Sequence, residues 1–166
     1  DDKFMTEAAM IKTNEEIINL LTPDKKLVSE ILEFAKKQNF VKFLDLMKPE
    51  TNIHLTLENL KSVNKKLAVF TNRGSSLEYL LKHFNMHQYF DFLVNSFAVS
   101  KPKPDPEGLI KILNFFGKKP ENAIFIGDSI NDYTPAKSTG TFFVSYKNKD
   151  LDAPVIDDHL KIMEYV

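Results

Sequence analysis

Two carboxylates four positions apart, Asp128 and Asp132, follow directly on the apolar run 123–126 and Gly127. A short continuous apolar run reads as a strand buried on both faces. Glycine at its end allows a sharp backbone turn, and the ends of parallel strands are where α/β folds place ligands. Two acidic side chains there form a hard-oxygen site suited to Mg²⁺. A plainer reading has Asp128 capping a short helix, with Asp132 on its exposed first turn. Ser129 and Asn131 also suit a helix start.

Two further candidates precede this pair. Thr71 follows the apolar run Leu67-Ala68-Val69-Phe70. Its hydroxyl and the N–H groups of Asn72 and Arg73 can hold phosphate oxygens near a helix N-terminus; the plainer reading is a strand-end threonine with a turn at Gly74. Lys101 opens the run Lys101-Pro102-Lys103-Pro104-Asp105-Pro106. The prolines stiffen that loop, and a held ammonium suits a phosphate that gains charge during transfer. A solvated, proline-stiffened linker is the alternative. Lys103 ranks below Lys101, because Lys101 is the residue that opens the Lys-Pro-x-Pro pattern.

The elements that must position these residues alternate. From residue 51 the pattern predicts a helix over 56–63, a strand over 67–70 and a helix capped by Ser75-x-x-Glu78 with Leu77, Leu80, Leu81 and Phe84 on one face. A strand at 92–94 follows. Next come a helix bearing Leu109, Ile112, Leu113 and Phe116 and stopped by Gly117, the strand at 123–126, a short helix over 133–138 and a strand over 141–145. A short strand at 154–156 precedes a final helix over 158–165. Strands alternating with helices imply a parallel sheet covered on both faces. Residues 1–50 read as helices only: a capping box at Thr13-x-x-Glu16, an N-cap at Thr22 with Pro23 in the first turn, an apolar face of Leu27, Val28, Ile31, Leu32 and Ala35, and a short helix over 40–47.

Composition narrows the class. The 166 residues, 43% apolar with 14 Phe, suit one core with a small appended subdomain and exclude a disordered chain. A net charge of −1, with scattered cations, gives no electrostatic case for nucleic acid. No apolar run approaches membrane-spanning length. There is no cysteine, so disulfides and thiolate catalysis are both excluded, in keeping with a cytoplasmic protein. His54, His83, His87 and His159 follow no metal-ligand spacing.

Taken together, Leu-Ala-Val-Phe-Thr71-Asn72, Lys101 in Lys-Pro-x-Pro, and Gly127-Asp128-x-x-x-Asp132, in that order, resemble the second, third and fourth motifs of the haloacid dehalogenase (HAD) superfamily of phosphohydrolases. Ala136 and Gly140 follow the fourth motif as they do in that family. The acidic pair comes after the Thr and Lys, which sets the chain apart from response-regulator receiver domains. The resemblance covers residues 51 to 166, and residues 1–50 resemble part of the helical cap of phosphoglycolate-phosphatase-like members. It implies a Rossmann-like three-layer α/β core (51–166) with a partial helical cap (1–50). It also implies Mg²⁺-dependent hydrolysis of a small phosphorylated metabolite through an aspartyl-phosphate. In that scheme Asp128 and Asp132 hold the metal, Thr71 and the Asn72 amide hold the phosphoryl oxygens, and Lys101 neutralises nucleophile and phosphate.

One motif has no counterpart. The family's first motif, Asp-x-Asp-x-Thr after an apolar strand, supplies the nucleophile, and Asp1-Asp2-Lys3-Phe4 lacks both the strand and the spacing. In the family that strand lies between those at 67–70 and 123–126, so its absence leaves strand edges to be paired in some other way. The expectation is a chain lacking roughly 30–40 N-terminal residues, inactive alone, whose nucleophile lies outside it. The alternative is a non-catalytic HAD-like protein that binds phosphate or a partner.

Overall fold

The structure, a computed structural model, describes residues 14–37 and 44–166, and the side chains of 17–34 and 44–166. Asp1-Asp2-Lys3-Phe4, the capping box at Thr13 and the first part of the expected helix over 40–47 lie outside the described residues. The chain divides into two units, residues 1–42 and 43–166.

In the first unit, α1 (Asn14–Leu21) and α2 (Lys25–Lys37) form a helical pair, with Ile18 and Val28 buried. The cap of α2 differs from the expectation at Thr22-Pro23. Asp24 Oδ1 accepts from the N–H groups of Lys26 at 2.9 Å and Leu27 at 3.3 Å, while the Thr22 hydroxyl accepts from Asp24 N–H at 3.2 Å. A carboxylate in the N-cap position is the stronger acceptor, and the helix therefore starts two residues beyond Pro23.

In the second unit, the described part of the helix expected over 40–47 is a 3₁₀ turn over 44–46. It continues as α3 (Ile53–Ser62), β1 (Ala68–Phe70), α4 (Ser76–His83), β2 (Phe92–Val94), α5 (Glu107–Phe116), β3 (Ile124–Gly127), α6 (Ile130–Thr139), β4 (Phe142–Tyr146), β5 (Val155–Ile156) and a 3₁₀ helix over His159–Tyr165. Ser75 takes helical angles and makes no side-chain cap. The start of α4 is tied instead by Leu77 N–H donating to the Gly74 carbonyl at 3.2 Å. Gly117, at φ 59°, ends α5 as expected. No described helix is long and apolar enough to cross a membrane.

Every strand pair is parallel, and both faces of the sheet are apolar. Along β3, Ile124 and Ile126 pack with Leu60, Val144, Ile156 and Ile162. The alternate residues Ala123 and Phe125 pack with Phe70, Val94, Leu109 and Leu113. This period-2 division between two cores gives the three-layer α/β architecture. The strands do not form one sheet, however. β1 pairs only with β2, and β3–β4–β5 form a separate set.

An apolar cleft of about 650 Å³ separates the two sets, lined by Ala68 and Phe70 of β1 and by Ile124, Phe125 and Ile126 of β3. Thr71 N–H donates to the Val94 carbonyl, and Asp91 N–H to that of Leu67. Because backbone groups alternate sides along a strand, Leu67, Val69 and Thr71 serve β2, and Ala68 and Phe70 turn theirs toward the cleft. The opening also explains why every residue of β3 is only half-buried while 143–146 of β4 are buried. Of the alternatives open for the two strands, direct pairing with each other is not the one adopted.

Candidate active site

The C-terminal ends of β1 and β3 carry the site. At the first, the Thr71 hydroxyl accepts from Arg73 N–H at 3.1 Å. This is the turn a hydroxyl folds onto the amide two residues on, and it leaves the single O–H proton of Thr71 to donate elsewhere. The Arg73 amide, expected to face phosphate, is directed at that hydroxyl. The Asn72 side chain bridges to the proline-rich loop: its Nδ2 donates to the Lys103 carbonyl at 2.9 Å, and Lys103 N–H donates to its Oδ1 at 2.8 Å.

At the end of β3, Asp132 is buried, with 6% exposure, which overturns the reading of an exposed first-turn residue. Its Oδ2 accepts from the Ser129 hydroxyl at 2.7 Å and the Ser129 N–H at 3.3 Å. Its Oδ1 accepts from Lys103 Nζ at 2.6 Å. Gly127 is needed here for space rather than for a turn, because a Cβ on it would lie 2.2 Å from Asp132 Cβ. Asp128 is more open, and its carboxyl is pushed up, first by loss of hydration and then by the negative charge of Asp132. The Asn148 side chain donates to the Asp128 carbonyl at 2.8 Å, and the Asn148 carbonyl accepts from the buried Ser145 hydroxyl at 2.6 Å.

The lysine in this cluster is Lys103. Its side chain is 12% exposed, its ammonium lies 5.4 Å from the centre of the Phe70 ring, and its bond to Pro104 is cis. Lys101, the lysine ranked first from the sequence, has its backbone N–H on Glu107 Oε2 at 3.0 Å and is itself exposed. Glu107 also accepts from the Ser100 N–H and hydroxyl and from Lys111 Nζ. These bonds, that from Lys111 foremost, hold its carboxyl down at about 2. The structure thus gathers Asn72, Lys103, Asp128 and Asp132 with Thr71 adjoining, and leaves the Lys101 side chain outside. Ser145 and Asn148 were missed from the sequence, because nothing in their spacing marks them; Lys103 was in view but ranked second.

The donor set fits Mg²⁺ in chemistry. Asp128 and Asp132 offer hard carboxylate oxygens, and Mg²⁺ is commonly held by one or two carboxylates together with waters and substrate phosphate. The upward push on Asp128 comes first from lost hydration and then from the charge of Asp132, and the second of these is what a bound divalent cation would offset. Among the described residues no group of three or more His, Cys, Asp or Glu is placed to hold a metal.

Comparison with known proteins identifies the family and the fold. Residues 5–146 match the family model for haloacid dehalogenase-like hydrolases. A phosphoglycolate phosphatase of Aquifex aeolicus is 34% identical over 117 residues, 70% of this chain and 55% of that protein. The pyrophosphatase PpaX of Halalkalibacterium halodurans is 31% identical over 119 residues, again 70% and 55%. Among solved structures, a HAD-superfamily hydrolase of subfamily IA, variant 1, from Geobacter sulfurreducens superposes with a TM-score of 0.79 at 30% identity, covering 99% of this chain and 78% of that one. The chain spans about half the length of the curated relatives it matches.

Proposed function

Since this chain belongs to the haloacid dehalogenase-like hydrolases, we propose that it is part of a Mg²⁺-dependent phosphatase acting on a small phosphorylated metabolite, and that the nucleophilic aspartate lies outside these 166 residues. The observation that carries this reading is the Lys103 ammonium, held 2.6 Å from Asp132 beside the more open Asp128. A cation at that point lowers the cost of bringing an anionic nucleophile up to an anionic phosphate. The Thr71 hydroxyl donates to a phosphoryl oxygen, and the Asn72 amide supports it. Asp128 and Asp132 hold Mg²⁺, which when bound polarises the phosphoryl group. Asp132 is already tied to Lys103 and Ser129, so Asp128 is the residue more open to direct contact, with Asp132 supporting it.

The cleft supports an external nucleophile. A strand entering it parallel to β1 and β3 would pair two edges that have no partner strand among the described residues. Its C-terminal end would then emerge beside Thr71 and Asp128. Phosphoglycolate and pyrophosphate, in the names of the two relatives, are both small phosphates bearing a second anionic group, and a substrate of that kind is the one proposed. Residues 1–50 are read as part of a substrate-selecting cap, in a cytoplasmic protein.

The test compares the 166-residue chain with the product of its intact gene, using p-nitrophenyl phosphate, phosphoglycolate and pyrophosphate with Mg²⁺. The chain alone should be inert and the longer form active, and Lys103→Ala should remove that activity. Turnover by the chain alone, abolished by Asp128→Ala, would overturn the external nucleophile. A specific observation favours a second reading for the chain by itself: among the described residues no third carboxylate joins Asp128 and Asp132, as in a HAD-like protein that binds phosphate or a partner without turnover. Phosphate binding by a gene product inert toward all three compounds would establish that reading.

A further inference from the structure

We propose that the Asn72 side chain is the positioning residue for Lys103, locking the lysine-bearing loop to the end of β1 so that the Thr71 hydroxyl and the Lys103 ammonium are held as one unit. The catalytic meaning of this role rests on the phosphatase reading; the mechanical role does not.

The loop has few hydrogen-bond donors of its own. Between 101 and 106 three residues are proline, which has no N–H. The remaining donors are the amides of Lys101, Lys103 and Asp105. Lys101 N–H goes to Glu107, and Asp105 N–H goes to the Pro102 carbonyl at 3.1 Å. Lys103 N–H goes to Asn72. One local turn, one tie to α5 and one tie to β1 thus account for every amide donor the loop owns. Of the two ties to other elements, only that to Asn72 acts at the residue whose ammonium reaches Asp132.

The residue type matters. A carboxamide offers a donor and an acceptor on one planar group, and both are used on the same residue, at 2.9 Å to the carbonyl and 2.8 Å from the N–H of Lys103. The pairing fixes both the location and the orientation of that peptide unit. A carboxylate could keep only the accepting half, and alanine neither. Prolines restrict φ but do not dock a loop, so the stiffness of the segment leaves its placement undecided. Asn72 supplies the placement, and Asp132 and the face of Phe70 then receive the side chain.

The inference is testable on the chain as it stands, through the ¹H–¹⁵N signal of the Lys103 ammonium, whose proton exchange slows when it is held in an ion pair. Asp132→Asn comes first, to show that the signal reports the pair. Asn72→Ala should then speed ammonium exchange roughly tenfold or more, since both hydrogen bonds to the Lys103 peptide are lost, while core methyl shifts in Val144 and Ile162 stay unchanged. Asn72→Asp, which keeps the acceptor, should fall between. Should Asn72→Ala fail to fold, wild-type exchange in a folded Asn72→Asp would overturn the proposal and faster exchange would support it. In a folded Asn72→Ala, an unchanged Lys103 signal would overturn it. The outcome is separate from that of the phosphatase reading, which fails only if no form of the protein turns over phosphate.

Discussion

Exchanging each lysine of the proline-rich loop for methionine tests which of them belongs to the site. Lys103 and Asp132 are 12% and 9% exposed at their side chains and meet at 2.6 Å. Removing one member of a buried ion pair costs about 3–5 kcal/mol, because the other charge stays buried without its counterion. Asp132 keeps both bonds from Ser129, so the low end, about 3 kcal/mol, is expected for Lys103→Met. Lys101 is exposed, and Lys101→Met should change stability by no more than about 0.5 kcal/mol. With a urea m-value of about 2 kcal/mol/M, the first loss lowers the unfolding midpoint by about 1.5 M. Far-UV circular dichroism of the 166-residue chain in urea measures both. Adding Asp132→Asn to Lys103→Met removes the stranded charge and should recover at least about 1 kcal/mol. Equal costs at the two lysines, or a larger one at Lys101, would refute the assignment of the buried ammonium to residue 103.

Gly127→Ala places a methyl 2.2 Å from Asp132 Cβ. It should cost upwards of about 2 kcal/mol in thermal or urea unfolding and release Lys103 from Asp132, seen as faster ammonium exchange. Asp128→Asn in metal-free buffer should raise the melting temperature at neutral pH. The carboxyl of Asp128 is pushed up in the folded state by lost hydration and by Asp132, so its ionised form opposes folding; the advantage should shrink to nothing as acid protonates the wild-type group. Asp91 behaves oppositely. It accepts from Leu67 N–H at 3.0 Å and from Lys61 and Lys66, the backbone bond foremost in holding its carboxyl down at about 2. Asp91→Asn should therefore destabilise the chain at neutral pH, with the difference closing as pH falls from about 4 to about 2.

The alternation of strands and helices was legible in the sequence because apolar runs and one-sided helical faces are local patterns. Residues 68–70, 92–94 and 124–127 are strands close to where the runs place them. Caps were less legible. Thr22 and Ser75 carry capping residue types, yet Asp24 takes the first role and Gly74 the second, since a cap depends on local angles that several nearby residues compete to satisfy. The pair Asp128 and Asp132 was legible as a site, whereas the burial of Asp132 was not: it depends on the space left by Gly127 and on a lysine 29 positions away.

By itself, then, the sequence determined the family resemblance, the order of strands and helices and the identity of Thr71, Asp128 and Asp132 as candidates, because each rests on residue type and short-range spacing. The tertiary structure decided which of Lys101 and Lys103 stands beside Asp132. Both sit beside prolines in the same short loop, so no local pattern separates them. Glu107, six residues on, draws the Lys101 amide toward α5, whereas Asn72, 31 positions away, draws Lys103 onto the end of β1. The tertiary structure also decided what becomes of β1 and β3. Among the described residues they do not pair but line one cleft, while their side chains meet in a shared core, as Phe70 and Phe125 do.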